Sequence, residues 1–282
     1  MKRFALASGS SFAWIVVVSA LAVVLGCGGG KPPAPPASTA GFDPAGSDPE
    51  AIEIAKRAME AMGGPEGWAA TRYLAFDFVV EVGGAPPVAF RHYWDISTGR
   101  YRVEGMDEEQ HPYLVLFNVG SRTGMAWIDG QRARNEEHEL LMQEAYERFI
   151  NDAYWLLMPL KLLDPGVHLH YQGEVREGSH VRDRIRVTFD PGTGLTPGDV
   201  YWAEVDRESG RMERWEFVLE GDNERYSYAW TDWREFGPLT LSTVKTEEGG
   251  PERIIFLNVI ASEQVDPAPF EPPAEPASAA AI

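Results

Sequence analysis

A two-residue period of apolar side chains runs through most of this sequence and constrains its fold more than any other feature. The period is clearest in segment 181–189, which places Ile185, Val187 and Phe189 on one face and Arg182, Arg184 and Arg186 on the other. Successive side chains of a β-strand point to opposite faces of a sheet. Strict alternation therefore predicts strands with one buried and one solvated face, which is typical of antiparallel sheets.

About twelve segments carry the alternation and the flanking turn signals of strands. They are residues 74–82, 87–94, 100–104, 113–119, 124–128, 167–175, 181–189, 199–206, 211–219, 225–233, 239–246 and 253–261. Short turns join most of them, which favours antiparallel neighbours in a meander. An open twisted sheet rarely holds so many long strands. We therefore predict a mainly β (α+β) fold, namely a curled antiparallel sheet or unclosed half-barrel of about 11–12 strands.

The first helical pattern precedes the strands. Ser47 and Glu50 form a capping-box pair, with Pro49 in the first turn. Apolar residues then recur at helical spacing, at Ile52, Ala55, Met59 and Met62. Gly63 and Gly64 follow and end the pattern. The sequence thus predicts an N-terminal amphipathic helix.

A second helical pattern separates the two sets of strands. Residues 135–150 form an amphipathic helix in this prediction. Its apolar face comprises Leu141, Ala145 and Phe149. Asp152 is expected to cap a separate short helix over residues 153–158, which Pro159 ends. Residues 152–163, called the lid segment below, are apolar nearly all round and too few to cross a bilayer. We expect the lid segment to cover the concave side of the sheet.

The single cysteine of the chain follows an export signal. Lys2 and Arg3 precede an apolar stretch at residues 12–25, whose length of about 14 residues is below the roughly 20 of a spanning helix. Gly26 and Cys27, at the end of this stretch, resemble the bacterial lipobox. The resemblance implies cleavage before Cys27 and acylation of its thiol, and the alternative is an uncleaved N-terminal anchor. A single cysteine also excludes an intramolecular disulfide.

Composition divides the chain into four segments. Residues 1–26 are expected to be a lipoprotein signal peptide, and residues 27–46 a lipid-anchored linker rich in Pro, Gly and Ala. Residues 47–264 would form the β domain, and residues 265–282 a disordered Pro/Ala-rich tail. By the lipobox resemblance, Gly28 in place of an aspartate implies an outer-membrane location facing the periplasm.

Two short strings carry a resemblance to known proteins. Segments 151–159 (NDAYWLLMP) and 196–201 (TPGDVY) resemble an uncharacterised family of exported bacterial lipoproteins. With the lipobox cysteine and the order of elements over residues 50–264, the chain looks like the LolA/LolB lipoprotein-carrier superfamily, which includes mycobacterial lipid-binding lipoproteins. The resemblance implies an unclosed barrel with a helical lid around an apolar cavity that holds acyl chains. It also implies a role in envelope lipid or lipoprotein transport.

The site predicted on this basis is the apolar lining of that cavity. The sheet would contribute Leu74, Phe76, Phe78, Trp215 and Phe217, and the lid segment Trp155, Leu156, Leu157, Met158, Leu162 and Leu163. We expect a monomer that binds a hydrophobic acylated ligand and attaches to the lipid bilayer through acylated Cys27. The alternative is a core that its own side chains fill. The protein would then be a non-catalytic structural or interaction lipoprotein of the envelope.

Charge and motifs argue against other functions. The net charge of −18 disfavours nucleic acid as a partner. His168 and His170 are the best metal candidates, since alternate strand residues share a face, but no third ligand stands at a suitable spacing. The chain has no phosphate-binding loop, dinucleotide-binding turn or nucleophile elbow. We expect no catalytic residue, no metal and no cofactor, and a metal-dependent enzyme is the less favoured alternative.

Overall fold

The fold is built on one antiparallel sheet, seen in a computed structural model that describes residues 41–107 and 109–274. Within this part of the chain the sheet has 13 strands. They are β1 (Tyr73–Val82), β2 (Val88–Asp95), β3 (Arg100–Met106), β4 (Pro112–Asn118), β5 (Thr123–Ile128), β6 (Gln131–Arg132), β7 (Val167–Glu177), β8 (His180–Phe189), β9 (Val200–Asp206), β10 (Met212–Val218), β11 (Tyr226–Phe236), β12 (Leu239–Glu247) and β13 (Glu252–Ser262). The helices are α1 (Pro49–Glu60), α2 (Gly64–Ala70) and α3 (Asn135–Leu157), with 3-10 helices at Met158–Lys161 and Ala268–Phe270.

The strand order shows how the chain builds this sheet from its middle. The order is β6-β5-β4-β3-β2-β1-β13-β12-β11-β10-β9-β8-β7. The first six strands therefore run from the centre to one edge as a meander. Helix α3 and the 3-10 helix after it then carry the chain to the other edge, and strands β7 to β13 return to the centre. Strand β13 pairs with β1 and joins the two halves, with Phe78 opposite Phe256.

The sheet curls around helix α3. Helix α3 has 23 residues, which makes it about 35 Å long. It contacts β3, β4 and β5 in one half of the sheet and β12 in the other. Its Tyr154 also packs against Tyr201 on β9, although β5 and β9 would lie about 43 Å apart if the sheet were flat. The predicted curled, unclosed antiparallel sheet is confirmed. The strand that the sequence did not predict is β6, whose two residues are too few to show a period.

Helix α3 differs from the prediction at its centre. The sequence predicted a break before Asp152, whereas the structure has one continuous helix over Asn135–Leu157. Asp152 therefore lies inside a helix and does not cap one. Its buried carboxylate lies 3.1 Å from the imidazole of His92 on β2. The helix gives way to a 3-10 helix at Met158–Lys161. The change fits Pro159, which lacks the N–H that the α-helical ladder requires.

The start of helix α1 protects an edge of the sheet. The predicted capping box does not form, since neither Ser47 nor the N-cap residue Asp48 makes a side-chain hydrogen bond to the helix. Instead, the hydroxyl of Ser47 accepts a hydrogen bond from the amide of Leu169, and the carboxylate of Asp48 accepts one from the amide of Tyr171. Both donors lie on the edge strand β7. Edge strands with free amides invite pairing with other chains, and these contacts occupy two of them.

The segment after β13 departs from the predicted disordered tail. Residues 265–274 are described, and Phe270 packs with Tyr73 and Ala75 on the face of the sheet opposite to α3. The guanidinium of Arg102 also donates a hydrogen bond to the carbonyl of Pro269. The Pro/Ala-rich composition suggested disorder, but the segment also contains Phe270, which attaches it to the sheet. Residues 275–282 lie outside the described residues, as do the predicted signal peptide, Cys27 and the predicted linker up to residue 40.

Candidate functional site

The residues predicted to line a cavity all lie between helix α3 and the face of the sheet that curves around it, called the concave face below. Their exposed fractions range from 0% to 7%. They are Leu74, Phe76 and Phe78 on β1, Trp215 and Phe217 on β10, Trp155, Leu156 and Leu157 on α3, Met158 in the 3-10 helix, and Leu162 and Leu163 after it. The structure thus brings the lid segment and both sets of strands to one apolar region. Whether this region binds a ligand remains a prediction.

Trp155 is the main contact between the lid segment and the second half of the sheet. Its ring centroid lies 6.0 Å from that of Phe217, 4.9 Å from that of Tyr228 and 6.4 Å from that of Trp230. The preceding residue, Tyr154, packs against Trp215 at 6.2 Å. Rings at these separations are in the favourable range for aromatic pairs. Helix α3 is therefore attached to this half of the sheet through aromatic faces and edges.

The predicted residues on β1 form a second aromatic group, at the centre of the sheet. The ring of Phe256 on β13 lies 5.6 Å from that of Phe76 and 5.5 Å from that of Phe78. Phe76 also stacks on His92 at 4.7 Å. No direct ring contact joins this group to Trp155 among the described residues. The structure therefore separates the predicted site into two aromatic groups.

Lys245 on β12 lies between these two groups and was not among the predicted site residues. Its ammonium nitrogen is 4.3 Å from the ring centroid of Trp230 and 4.3 Å from that of Phe256. The side chain is 0% exposed. The nitrogen donates one hydrogen bond, of 2.5 Å, to the carbonyl oxygen of Ser242. Within the described part of the chain it forms no ion pair, and burial lowers the pKa of this amine well below its usual value.

A signal in the sequence would have identified Lys245. In β12, Leu239, Leu241 and Lys245 share the same phase of the two-residue period, and both leucines are buried. A lysine at an apolar position of an alternating strand is therefore expected to point into the core. Its cross-strand partners, Trp230 and Ile254, are buried as well.

A second polar group interrupts the apolar region beside β2. The hydroxyl of Tyr101 lies 2.9 Å from Nδ1 of His92, and Nε2 of His92 lies 3.1 Å from Oδ2 of Asp152. All three residues are 0% exposed. The amide of Asn151 donates a hydrogen bond of 2.8 Å to the other oxygen of Asp152. Burial raises the pKa of Tyr101, and the nearby charge of Asp152 raises it further.

A third polar contact pairs a tyrosine with a carboxylic acid near the start of β13. The hydroxyl of Tyr228 donates a hydrogen bond of 2.8 Å to Glu252, which is 6% exposed. Burial raises the pKa of Glu252, although the hydrogen bond from Tyr228 opposes this rise. Tyr228 also contacts Trp155, so this acid lies beside the lid segment.

Several polar atoms of this region have no hydrogen-bonding partner. Buried polar groups in proteins are normally paired, because an unpaired donor or acceptor loses its bond to water. The indole N–H groups of Trp94 and Trp230 and the hydroxyl of Tyr146 lack a partner. Trp94 and Tyr146 both pack against Phe149 on α3. Trp230 is the ring that contacts both Trp155 and Lys245, so one unpaired donor lies between the two aromatic groups.

The two histidines considered as metal ligands do not converge on one site. His168 pairs with Asp190 at 2.7 Å, whereas His170 lies 3.9 Å from Asp48. Each imidazole thus faces a different carboxylate, which is the arrangement of surface ion pairs.

A different set of three residues has metal-ligand spacing in the described part of the chain. His180, Asp206 and Glu213 have ligand atoms within 4.8 Å of one another. The guanidinium of Arg182, however, lies 3.5 Å from the same oxygen of Glu213 that His180 contacts. The hydrogen bond with Glu213 raises the pKa of His180, which favours its cationic form. These charges describe an ion-pair cluster.

Comparison with known proteins identifies similar structures but no matching sequence family. No family model and no curated protein matches the chain. A LolA superfamily protein from Nitrosomonas europaea is 10% identical, with a TM-score of 0.49 over 78% of this chain and 97% of that chain. A DUF1329 family protein from Desulfovibrio piger is 12% identical, with a TM-score of 0.46 over 80% and 98%. The lipoprotein LppX of Mycobacterium tuberculosis is 12% identical, with a TM-score of 0.32 over 78% and 99%.

In residues 41–107 and 109–274, no helix combines the length and the apolar character that crossing a membrane requires.

Proposed function

We propose that this protein is an exported, lipid-anchored binding protein that holds acyl chains between the concave face and helix α3. One observation carries the proposal. Apolar residues of β1, β10 and the lid segment, which are far apart in sequence, converge on one region that a single helix covers. Ligand sites are commonly formed in such regions, where apolar walls surround a few polar groups.

The energetics of acyl binding fit an apolar lining of this kind. Burial of one methylene group contributes about 0.8 kcal/mol. A chain with about ten buried methylenes therefore offers about 8 kcal/mol, from which the loss of ligand motion and the rearrangement of side chains are subtracted. Trp155 and Phe217 are the surfaces that such a chain would contact first, because they form the junction between α3 and the sheet.

Access to the concave face requires movement of α3. The lid segment is packed on the sheet through Trp155, and its side chains occupy the space beside Tyr228. An acyl chain would replace these contacts with its own apolar surface, so that the exchange costs little in hydrophobic burial. The polar contact between His92 and Asp152 lies nearer the middle of α3 and would act as the fixed point of this movement.

A second function is favoured by the same ring contacts. Trp155 and Tyr228 are 4.9 Å apart at their centroids, which is the packing of a core filled by its own side chains. In that case the protein is a structural or interaction lipoprotein of the envelope. The two functions differ in whether an acyl chain enters the region, and the binding experiment below separates them.

Membrane attachment is a separate part of the proposal, because Cys27 lies outside the described residues. The supporting feature is the lipobox-like end of the leader. Intact-mass analysis of the protein extracted from membranes should show an acylated N-terminal Cys27 in place of the full leader. The variant Cys27→Ala should keep the leader and lose the acyl mass. An unmodified Cys27 in the wild-type protein would refute the anchor and leave the binding proposal untouched.

Binding is tested with protein purified without detergent. Native mass spectrometry should reveal co-purified lipid, and a fluorescent fatty acid should bind with a saturable signal. The variant Phe78→Asp places a carboxylate in the predicted lining and should abolish this signal. Its matched control is Leu257→Asp, because Leu257 also lies in the sheet but is 48% exposed. Circular dichroism must show that both variants are folded. Absence of lipid and of saturable binding in the folded wild-type protein would favour the filled core.

A further inference from the structure

The most unusual group on the concave face is a lysine amine without a counter-charge. Lys245 is 0% exposed and lies at the centre of the sheet, between two aromatic groups. Removing an ammonium group from water is costly unless a carboxylate or several acceptors replace the lost hydration. An apolar residue of similar length would fill this place without that cost. The position therefore calls for a functional explanation.

The donors of Lys245 are only partly satisfied. The amine donates to one acceptor, the carbonyl oxygen of Ser242. Its other neighbours within reach are the rings of Trp230 and Phe256, which stabilise a cation through their faces but accept no strong hydrogen bond. The remaining hydrogens of the amine are thus available to an incoming acceptor.

Trp230, which lies beside Lys245, also has a donor that needs an acceptor. The indole N–H of Trp230 is buried and has no hydrogen-bonding partner. The same ring lies 4.3 Å from the amine of Lys245 and 6.4 Å from the ring of Trp155 in the lid segment. Two unsatisfied donor residues therefore stand side by side under α3.

We propose that Lys245 and Trp230 bind the carboxylate of a long-chain carboxylic acid, which makes a free fatty acid the ligand class of the concave face. This inference rests on the proposed acyl-binding function and adds the chemistry of the head group. A carboxylate presents two oxygens, so it can accept from the amine and from a second donor at the same time. Such charge-assisted hydrogen bonds are strong in a region from which water is excluded.

The proton balance of this binding is simple. The protonated acid enters as a neutral molecule, and its own proton passes from the carboxyl oxygen to the amine nitrogen of Lys245. The product is an ammonium–carboxylate pair of zero net charge, and no other reactant is needed. Burial lowers the pKa of this amine and so favours its uncharged form before binding.

The location of the head group also defines the path of the tail. From Lys245, one aromatic group leads through Phe256 to Phe76 and Phe78, and the other leads through Trp230 to Trp155. Both groups consist of predicted lining residues and their neighbours. A single acid held at Lys245 would thus extend its alkyl chain along either group, and the lid segment would cover it.

The test compares ligands that differ only in the head group. Wild-type protein and Lys245→Met are titrated with hexadecanoic acid and with its methyl ester, by displacement of the fluorescent fatty acid. Methionine keeps the length and apolar character of the side chain. We expect the wild-type protein to bind the acid at least about tenfold more tightly than the ester, as the strength of a charge-assisted hydrogen bond implies. Lys245→Met should lose this preference and bind the ester as well as the wild-type protein does.

Two further variants make the test specific. Lys56→Met removes an exposed lysine of helix α1 and should keep the preference for the acid. Trp230→Phe keeps an aromatic ring but removes the indole N–H, and should reduce the preference without abolishing ester binding. Trp230→Phe also provides the answer if Lys245→Met does not fold.

The possible results separate this inference from the proposed function. Equal affinity of the wild-type protein for acid and ester would overturn the role of Lys245 and Trp230, while acyl binding itself would stand. A preference for the acid that survives in Lys245→Met would overturn the role of the lysine. Failure of the wild-type protein to bind either compound would refute the acyl-binding function, and the inference with it.

Discussion

The imidazole of His92 on β2 lies 3.1 Å from the carboxylate of Asp152 on α3, and both side chains are fully buried. Nε2 of His92 and Oδ2 of Asp152 are close enough for an ion pair but are not aligned for a hydrogen bond. This contact joins the C-terminal third of α3 to the concave face. It explains why α3 continues through a position at which its sequence suggests a new helix.

Loss of one member of this pair should destabilise the protein. Asp152→Ala would leave His92 buried with only the hydroxyl of Tyr101 as a partner. The expected decrease in the free energy of unfolding is about 3 kcal/mol, as for other broken buried pairs. Urea unfolding followed by tryptophan fluorescence measures it.

The double variant His92→Leu/Asp152→Leu serves as the control for that prediction. Replacing both partners with apolar residues should recover a large part of the loss, since no buried polar group is left unpaired. A decrease below about 0.5 kcal/mol for Asp152→Ala would show that the contact does not hold α3 to the sheet.

The turn between β2 and β3 should make stability depend on acid pH. Burial disfavours the charged form of Asp95, but hydrogen bonds from Ser97, Thr98 and Arg100 outweigh it and lower the pKa of Asp95 to about 2. The unfolded value is 3.8, so the carboxylate stabilises the folded state above pH 3.8, and this contribution is lost as the pH falls towards 2. Its size is about 2 kcal/mol.

The variant Asp95→Asn tests the contribution of this turn. It should be less stable than the wild-type protein by about 2 kcal/mol at pH 6, and the difference should shrink as the pH falls from 4 to 2. Chemical denaturation at several pH values measures both quantities. A difference that stays constant over this range would show that ionisation of Asp95 does not contribute.

Lys245 should also make stability rise with pH, but in a higher pH range than Asp95. Burial lowers the pKa of this amine in the folded protein well below the unfolded value of 10.5. Between the two values the unfolded chain binds a proton that the folded chain lacks, so the stability of the folded state rises with pH. The groups that face the amine are the rings of Trp230 and Phe256 and the carbonyl of Ser242.

The variant Lys245→Met isolates this effect, because all other titrating groups are shared with the wild-type protein. The stability of the wild-type protein relative to the variant should increase from pH 7 to 9, with a slope of at most about 1.4 kcal/mol per pH unit. Urea unfolding of both proteins gives this difference. A relative stability that decreases with rising pH would mean that the amine is held as a cation in the folded state.

Replacing Trp155 should change both the stability of the protein and its rate of fatty-acid uptake. Trp155→Ala removes a ring that is 7% exposed and contacts both Phe217 and Tyr228. The expected loss is about 3–5 kcal/mol in the free energy of unfolding. If acyl chains bind under α3, the vacated space should also speed uptake of the fluorescent fatty acid in stopped-flow measurements. Tyr154→Phe, which keeps a ring at the neighbouring position, should change neither quantity by much. Unchanged uptake in a folded Trp155→Ala would place the ligand elsewhere.

Much of the fold could be predicted from the period of the sequence. Ile185 and Val187 are buried, as their alternation with arginines indicates, because burial of one face is what gives a strand this pattern. The outer face was less predictable. Glu204 is 1% exposed, since the guanidinium groups of Arg182 and Arg184 cover it and neutralise its charge. Alternation shows which residues share a face but not which charges pair across strands.

The interior shows where sequence reasoning fails for a physical reason. Asp152 was interpreted as a cap because a polar residue in an apolar run usually marks a boundary. Its true partner, His92, is 60 residues away in sequence and becomes a neighbour only when the sheet curls. The period of β12 already placed Lys245 in the core, but the rings of Trp230 and Phe256 that contact its amine come from two other strands. Both residues are buried polar groups whose partners are set by tertiary structure.

Photo-crosslinking of a bound fatty acid tests the central claim most directly. A hexadecanoic acid with a photoreactive group in its alkyl chain is irradiated with the purified protein, and the labelled peptides are mapped by mass spectrometry. The account predicts labels on the lid segment around Trp155 and on the strands that carry Phe76 and Phe217, suppressed by excess unlabelled acid. Labels confined to exposed positions such as Leu257, or no label that the unlabelled acid suppresses, would contradict an acyl-binding site between the concave face and α3.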